Sequence, residues 1–106
     1  MPATIDITPD APIAVTSVCR VNIADAPVND TGAYDVDLYP TEPEIRYYIA
    51  FEKAGADTGK SQVFSPAADG SFEFNSYIFP EAGSWTVHLR KDADDSSIAN
   101  LAVTVS

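Results

Sequence analysis

Apolar and polar residues alternate with a period of two along most of the chain, the pattern of strands with one face buried and one face wet. In TIDIT (4–8), Ile5 and Ile7 share a face. In IAVTSVCRVNI (13–23), Ile13, Val15, Cys19, Val21 and Ile23 share one, opposite Thr16, Arg20 and Asn22. AYDVDLY (33–39) sets Val36 and Leu38 against Asp35 and Asp37. EIRYYIAFEK (44–53) turns Ile45, Tyr47, Ile49 and Phe51 inward and Arg46, Tyr48 and Glu52 outward. SQVFS (61–65) reads as a short edge strand, and SFEFNSYIF (71–79) faces Phe72, Phe74 and Ile78 inward. WTVHLR (85–90) and IANLAVTV (98–105) bury Trp85, Val87, Leu89 and then Leu101, Val103, Val105.

Between these runs stand ADAPVNDTG (24–32), YPTEP (39–43), AGADTG (54–59), SPAADG (65–70), PEAGS (80–84) and DADDSS (92–97). Their Pro, Gly, Asp, Asn and Ser residues are those that let a chain reverse. No segment sustains a helical period. The spacing predicts an all-β fold: one antiparallel sandwich of seven or eight strands over residues 1–106. Residues 1–10 are either an arm reaching towards a neighbour or the first edge strand.

The segment PEAGSWTV (80–87) resembles the turn and strand start of immunoglobulin-like domains. That pattern carries an acidic residue, a small residue, an aromatic and a core residue, matched here by Glu81, Gly83, Trp85 and Val87. The family's corner aromatic is a tyrosine whose hydroxyl bonds back to the turn. Trp85 stands in its place, and an indole can donate a hydrogen bond but not accept one. Val87 stands where the second core cysteine would be, and Cys19 about where the first belongs. The resemblance covers the second half of the chain, while the first half fits by strand count. It implies an immunoglobulin-like β-sandwich. Short stand-alone domains of this kind resemble accessory proteins of bacteriophage particles and single modules of bacterial surface proteins.

Charge narrows the partners. Six Lys and Arg face sixteen Asp and Glu, a net charge of -10. That balance argues against nucleic acid, whose binding rests on neutralising phosphates, and against anionic membrane surfaces. It favours solubility and partners that are neutral, basic or bridged by cations. No basic, apolar leader segment opens the chain and no run is long enough to span a bilayer. The expectation is therefore a protein made in a host cytoplasm and displayed on a virion surface, with the bacterial cell surface as the alternative.

The chemistry-bearing residues are few. Cys19 and His88 are the only residues of their kinds, which excludes an intrachain disulfide and a multi-histidine metal site. Cys19 reads as a buried thiol, and His88 as an outward surface residue. Asp92, Asp94 and Asp95 crowd one turn, where hard Ca²⁺ would find oxygens, with Asp25, Asp30 and Asp69 as further ligands. The spacing is not that of an EF-hand, since Val103 stands where its glutamate should be. The turn reads first as solvated. No cofactor is expected. No phosphate loop, nucleophile elbow or zinc motif occurs, so the chain reads as no enzyme. Tyr34, Tyr39, Tyr48, Tyr77 and Phe79 are the candidates for a contact patch, with Tyr39, Tyr48 and Tyr77 foremost. The expected role is a structural or binding one: decoration of a phage capsid or attachment to its tail, through capsid or tail subunits, with homo-oligomers included. A carbohydrate- or cell-surface-binding module, or an adhesin domain, is the alternative.

Overall fold

A computed structural model of the chain describes residues 3–8, 13–29 and 45–106. Among these, seven strands form two antiparallel sheets: β1 (Thr4–Thr8), β2 (Cys19–Ala24), β3 (Tyr47–Lys53), β4 (Ala56–Lys60), β5 (Phe72–Tyr77), β6 (Gly83–Lys91) and β7 (Ser97–Val105). One sheet has the order β1-β2-β5, the other β4-β3-β6-β7. The arrangement is a β-sandwich, as the alternation predicts. The strand expected over residues 33–39 lies outside the described residues.

The inward positions of both sheets meet in one core. Ile5, Ile7, Cys19, Val21 and Ile23 come from the smaller sheet. Tyr47, Ile49, Phe51, Trp85, Val87, Leu89, Val103 and Val105 come from the larger. Each fully buried Val, Leu, Ile or Phe stabilises the fold by roughly 1.5–3 kcal/mol. With Cys19 a free, buried thiol, this burial is what holds sheet to sheet. Thr4–Thr8 of the N-terminal stretch thus forms an edge strand, with Ile5 and Ile7 in the core.

Three local departures from simple alternation shape the molecule. First, residues 13–23 are not one strand. Ile13 bridges Val105 in parallel, its N–H donating to Thr104 O at 3.0 Å and its carbonyl accepting from Ser106 N at 2.7 Å. The chain has therefore crossed from the smaller sheet at Thr8 to the outer edge of the larger one at Ile13. It turns, Ser17 N donating to Ala14 O, and returns as β2. Because the residues before and after the turn keep the same parity, alternation alone cannot show the crossing.

Second, the edge strand of the larger sheet is β4, which the sequence reads as turn, and not residues 61–65. Ala54 and Gly55, with φ of 55° and 82°, close a two-residue hairpin between Lys53 and Ala56. Left-handed conformations at both positions fit the right-handed strand twist. β4 buries almost nothing, so it carries no apolar pattern. Beyond it the chain stays beside β3: Ser61 N donates to Ile49 O, and Phe64 and Tyr47 exchange two bonds of 2.8 and 2.9 Å.

Third, β5 contains a bulge. Cys19 pairs with Tyr77 but Val21 with Phe74, so one extra residue lies on β5, and Ser76 has a φ of 67°. An extra residue reverses the side-chain parity beyond it. Ile78, expected inward, is therefore 50% exposed, while Phe79 is completely buried and Tyr77 packs against the core.

Trp85 closes the turn before β6 by donating from Nε1 to Glu81 O at 3.0 Å, while its ring meets Phe79 edge-on at 5.1 Å. The indole thus bonds back to the turn backbone as a donor alone. Replacing Trp85 by Phe removes this bond and part of the packing, an expected loss of about 1–2 kcal/mol. Trp85→Ala should cost about 3–5 kcal/mol. Urea unfolding of the two variants beside the parent chain checks both values, and equal midpoints for parent and Trp85→Phe would remove the bond from the account.

Candidate functional site

Strand direction gathers the turns at the two ends of the sandwich. At one end, Ala26 N donates to Gly70 O, Ile45 N to Val28 O and Asp92 N to Arg46 O. These bonds bring together the stretches 24–29, 65–70 and 92–96. Gly70 makes the first contact feasible: its φ is 83°, and a Cβ there would stand 2.5 Å from Ala26 O. Asp25, Asp69, Asp92, Asp94 and Asp95 are exposed at this end. None of the ion pairs among the described residues involves them.

The opposite end differs. Just beyond the Cys19–Tyr77 pair lie Val18 and Ile78, 59% and 50% exposed. The charges near them are matched: Lys53 pairs with Glu81 at 3.0 Å and Arg20 with Glu73 at 3.1 Å. Arg20 Nε also donates to Asn75 Oδ1.

The outer face of the larger sheet carries a polar network that the sequence does not reveal. Glu52 on β3, His88 on β6 and Ser97 on β7 lie in a row: His88 Nε2 stands 2.6 Å from Glu52 Oε1, and Nδ1 stands 2.8 Å from Ser97 Oγ. Arg90 reaches Asp57 Oδ1 at 3.2 Å and donates to Asp95 O at 3.1 Å. Tyr48 donates its hydroxyl to Asp95 Oδ1 at 2.7 Å, and Lys60 Nζ lies over the Tyr48 ring at 5.6 Å. His88 is therefore no plain surface residue, its side chain being only 13% exposed. Period-2 reading marks Tyr48, Glu52, His88 and Arg90 as outward and leaves Asp57, Asp95 and Ser97 in turns. It does not say which strands are neighbours, and so leaves the row invisible.

The candidate contact residues are dispersed. Tyr77 does not form an outward platform, because the β5 bulge turns it in, where its ring stacks on Phe51 with centroids 3.6 Å apart. Tyr48 is outward but only 7% exposed. It lines one wall of a groove of about 240 Å³ with Asp57, Thr58, Gly59 and Lys60. Tyr34 and Tyr39 lie outside the described residues, as does Asp30.

The turn aspartates use their oxygens locally. Asp94 Oδ1 accepts from Ser96 N at 3.0 Å and Ser96 Oγ at 2.7 Å, and Asp69 Oδ1 does the same with Ser71 at 3.0 and 2.6 Å. These bonds hold both carboxyls below their ordinary range. Their stabilising contribution is present above the usual aspartate range and is lost as pH falls through the lowered values. Among the described residues, no three of His, Cys, Asp or Glu form a group that could hold a metal ion.

Comparison with known proteins finds no family model, no curated protein and no solved structure that matches the chain.

Burial, then the bond to Asp95 and its charge, push the Tyr48 hydroxyl up to about 12. A raised tyrosine contributes stability that is complete below about pH 10 and lost as pH rises through the folded value. Tyr48→Phe should therefore flatten the alkaline loss of Tm between about pH 10 and about pH 12. Parallel alkaline slopes for parent and variant would show that Tyr48 does not supply it.

Proposed function

We propose that this chain is a non-enzymatic, immunoglobulin-like binding domain that docks on an assembled particle, the head or tail of a phage, and decorates its surface. The strand order supports the immunoglobulin-like reading, as does the passage of the first strand from one sheet edge to the other. So does the bond from Trp85 to Glu81 at the turn where that family places its corner tyrosine. Cys19 and Val87 both lie in the core, in keeping with the places that family gives its cysteine pair.

The observation that carries the docking reading is the contrast between the two ends. Five aspartates that join no ion pair among the described residues crown one end, and the other presents Val18 and Ile78 between matched charges. An apolar, charge-balanced end loses little on desolvation when it meets another protein surface. An acidic end pointing outwards keeps decorated particles apart. In this reading the protein is made in a host cytoplasm and resides on the virion surface, its partners being capsid or tail subunits.

A second reading, glycan binding at a bacterial cell surface, is favoured by the groove beside Tyr48. Its aromatic wall and the Asp57 and Thr58 oxygens are groups that recognise a sugar ring.

Immunogold labelling of cells and shed particles tests the first reading: label on capsids or tails supports it, and label confined to the cell envelope removes it. The double variant Val18→Glu, Ile78→Glu should bind particles at least tenfold more weakly than the parent while unfolding at a similar temperature. Unchanged particle binding would exclude this end as the docking surface. For the second reading, a glycan screen should find a ligand that Tyr48→Ala loses, and a screen without hits ends it.

A further inference from the structure

The chain holds one Asp–Gly pair, Asp69–Gly70, in the turn before β5. In such a pair the glycine nitrogen can attack the aspartate carboxyl carbon, because glycine has no Cβ to crowd the approach. The fold has a use for both residues. A Cβ on Gly70 would meet Ala26 O at 2.5 Å and Ala26 N at 2.7 Å, and the glycine φ is 83°. Asp69 Oδ1 accepts from both donors of Ser71, the N–H at 3.0 Å and the hydroxyl at 2.6 Å. The same contacts keep the pair from reacting. Gly70 N donates to Ala67 O at 2.8 Å, and attack requires that nitrogen to give up the hydrogen that Ala67 O holds. Ala67 N donates in turn to Ser71 O at 2.9 Å, which closes the turn. The bonds from Ser71 also hold the Asp69 carboxyl below its ordinary range, so the acid form, whose hydroxyl can leave as water, is scarcer. Gly70 is buried beneath an exposed Asp69.

We propose that Asp69–Gly70 is a covalent modification site, which isomerises to isoaspartate when the 65–71 turn opens and then cannot rebuild that turn. In the open turn Gly70 N bonds to Asp69 Cγ, and the nitrogen's hydrogen and the carboxyl hydroxyl leave together as one water. The product is a five-membered cyclic imide. One water then opens the ring. Cleavage at Cγ restores aspartate, whereas cleavage at the Asp69 backbone carbonyl carbon leaves Gly70 joined through Cγ. Water lost and water regained balance, so the change is an isomerisation. The main chain now has one more carbon between the two residues, and the carboxylate sits directly on Cα. The Ala67–Gly70 turn bond, the Ser71 cap and the 3.0 Å bond from Ala26 N to Gly70 O can then no longer all be made. The last of these ties 24–29 to 65–70, so the lesion loosens the acidic end of the sandwich. The inference is independent of the docking reading, since Val18 and Ile78 lie at the other end.

Isoaspartate at position 69 can be counted by electron-transfer mass spectrometry after the folded chain and a synthetic peptide of residues 65–73 are incubated in one buffer. The peptide has no fold to protect it. It should isomerise at least about tenfold faster than the folded chain, since reaction in the latter waits on local opening. Ser71→Ala, which deletes the hydroxyl donor, should raise the folded chain's rate about threefold. A peptide that forms no isoaspartate, or equal rates in peptide and chain, would overturn the proposal. An unchanged rate in Ser71→Ala would overturn the part given to the cap. The isomerised fraction, separated by ion exchange, should unfold at a lower temperature than the unmodified chain, and equal temperatures would show that the turn is rebuilt after all. If Ser71→Ala does not fold, the comparison of the parent chain with the peptide still decides.

Discussion

The two sheets are joined by a run of aromatic rings that passes from one to the other. Tyr77 of β5 lies flat on Phe51 of β3, Phe51 meets Phe79 edge-on at 5.8 Å, and Phe79 meets Trp85 of β6. A second bridge runs from Phe72 of β5 to Phe64, stacked at 3.6 Å, and on to Tyr47 of β3. No covalent link crosses between the sheets among the described residues, and the lone thiol sits unpaired in the core. The rings supply both the apolar area and the geometric preference that fix the sheets' separation. The bulge at Ser76 matters because it presents Tyr77 and Phe79 to this run. Without it, Ile78 would point inward and the bridge would lose two rings.

With the core settled in this way, the molecule has three different outward surfaces. The outer face of the larger sheet binds its charges to one another: Glu52, Asp57, His88 and Arg90 are all paired there. Arg90 Nε on this face is the buried side-chain polar atom left without a hydrogen-bond partner among the described residues. The ends are less self-contained. One holds five aspartates that join no ion pair among the described residues, two of them, Asp69 and Asp94, bonded to their own turns. The other holds exposed apolar side chains.

Much of this architecture is legible in the sequence, in unequal parts. Where a strand has one buried face and no interruption, alternation is sufficient, as in β1 and in β6 and β7 away from the register shift between Leu89 and Arg90. It fails where the buried face changes owner or parity without a change of pattern. Ile13 and Cys19 share a parity but face the core from different sheets, and Ser76 adds a residue without any glycine or proline to mark it. β4 is missed for the opposite reason: an exposed edge needs no apolar residues, so ADTGK reads as turn. Of the site, the acidic turns are visible as composition. The exposure of Ile78 is not, because it follows from the bulge, whereas Val18 shares the outward parity of Thr16, Arg20 and Asn22. The Glu52–His88–Ser97 row depends on β3 lying beside β6, with Glu52 and His88 36 residues apart in sequence, which no local pattern encodes.

The parallel bridge between Ile13 and Val105 has a further consequence, for the order in which the structure can form. It joins Ile13 to β7, which is synthesised after the other six described strands. β7 also completes the larger sheet against β6. A nascent chain emerging residue by residue cannot close this edge until β7 is available. Until then Ile13 and the free edge of β6 lack their partners. Pairings between segments so far apart in sequence are slow to form, and incomplete chains expose apolar surface while they wait. For this fold, the interval before β7 arrives is when association with the wrong neighbour is easiest.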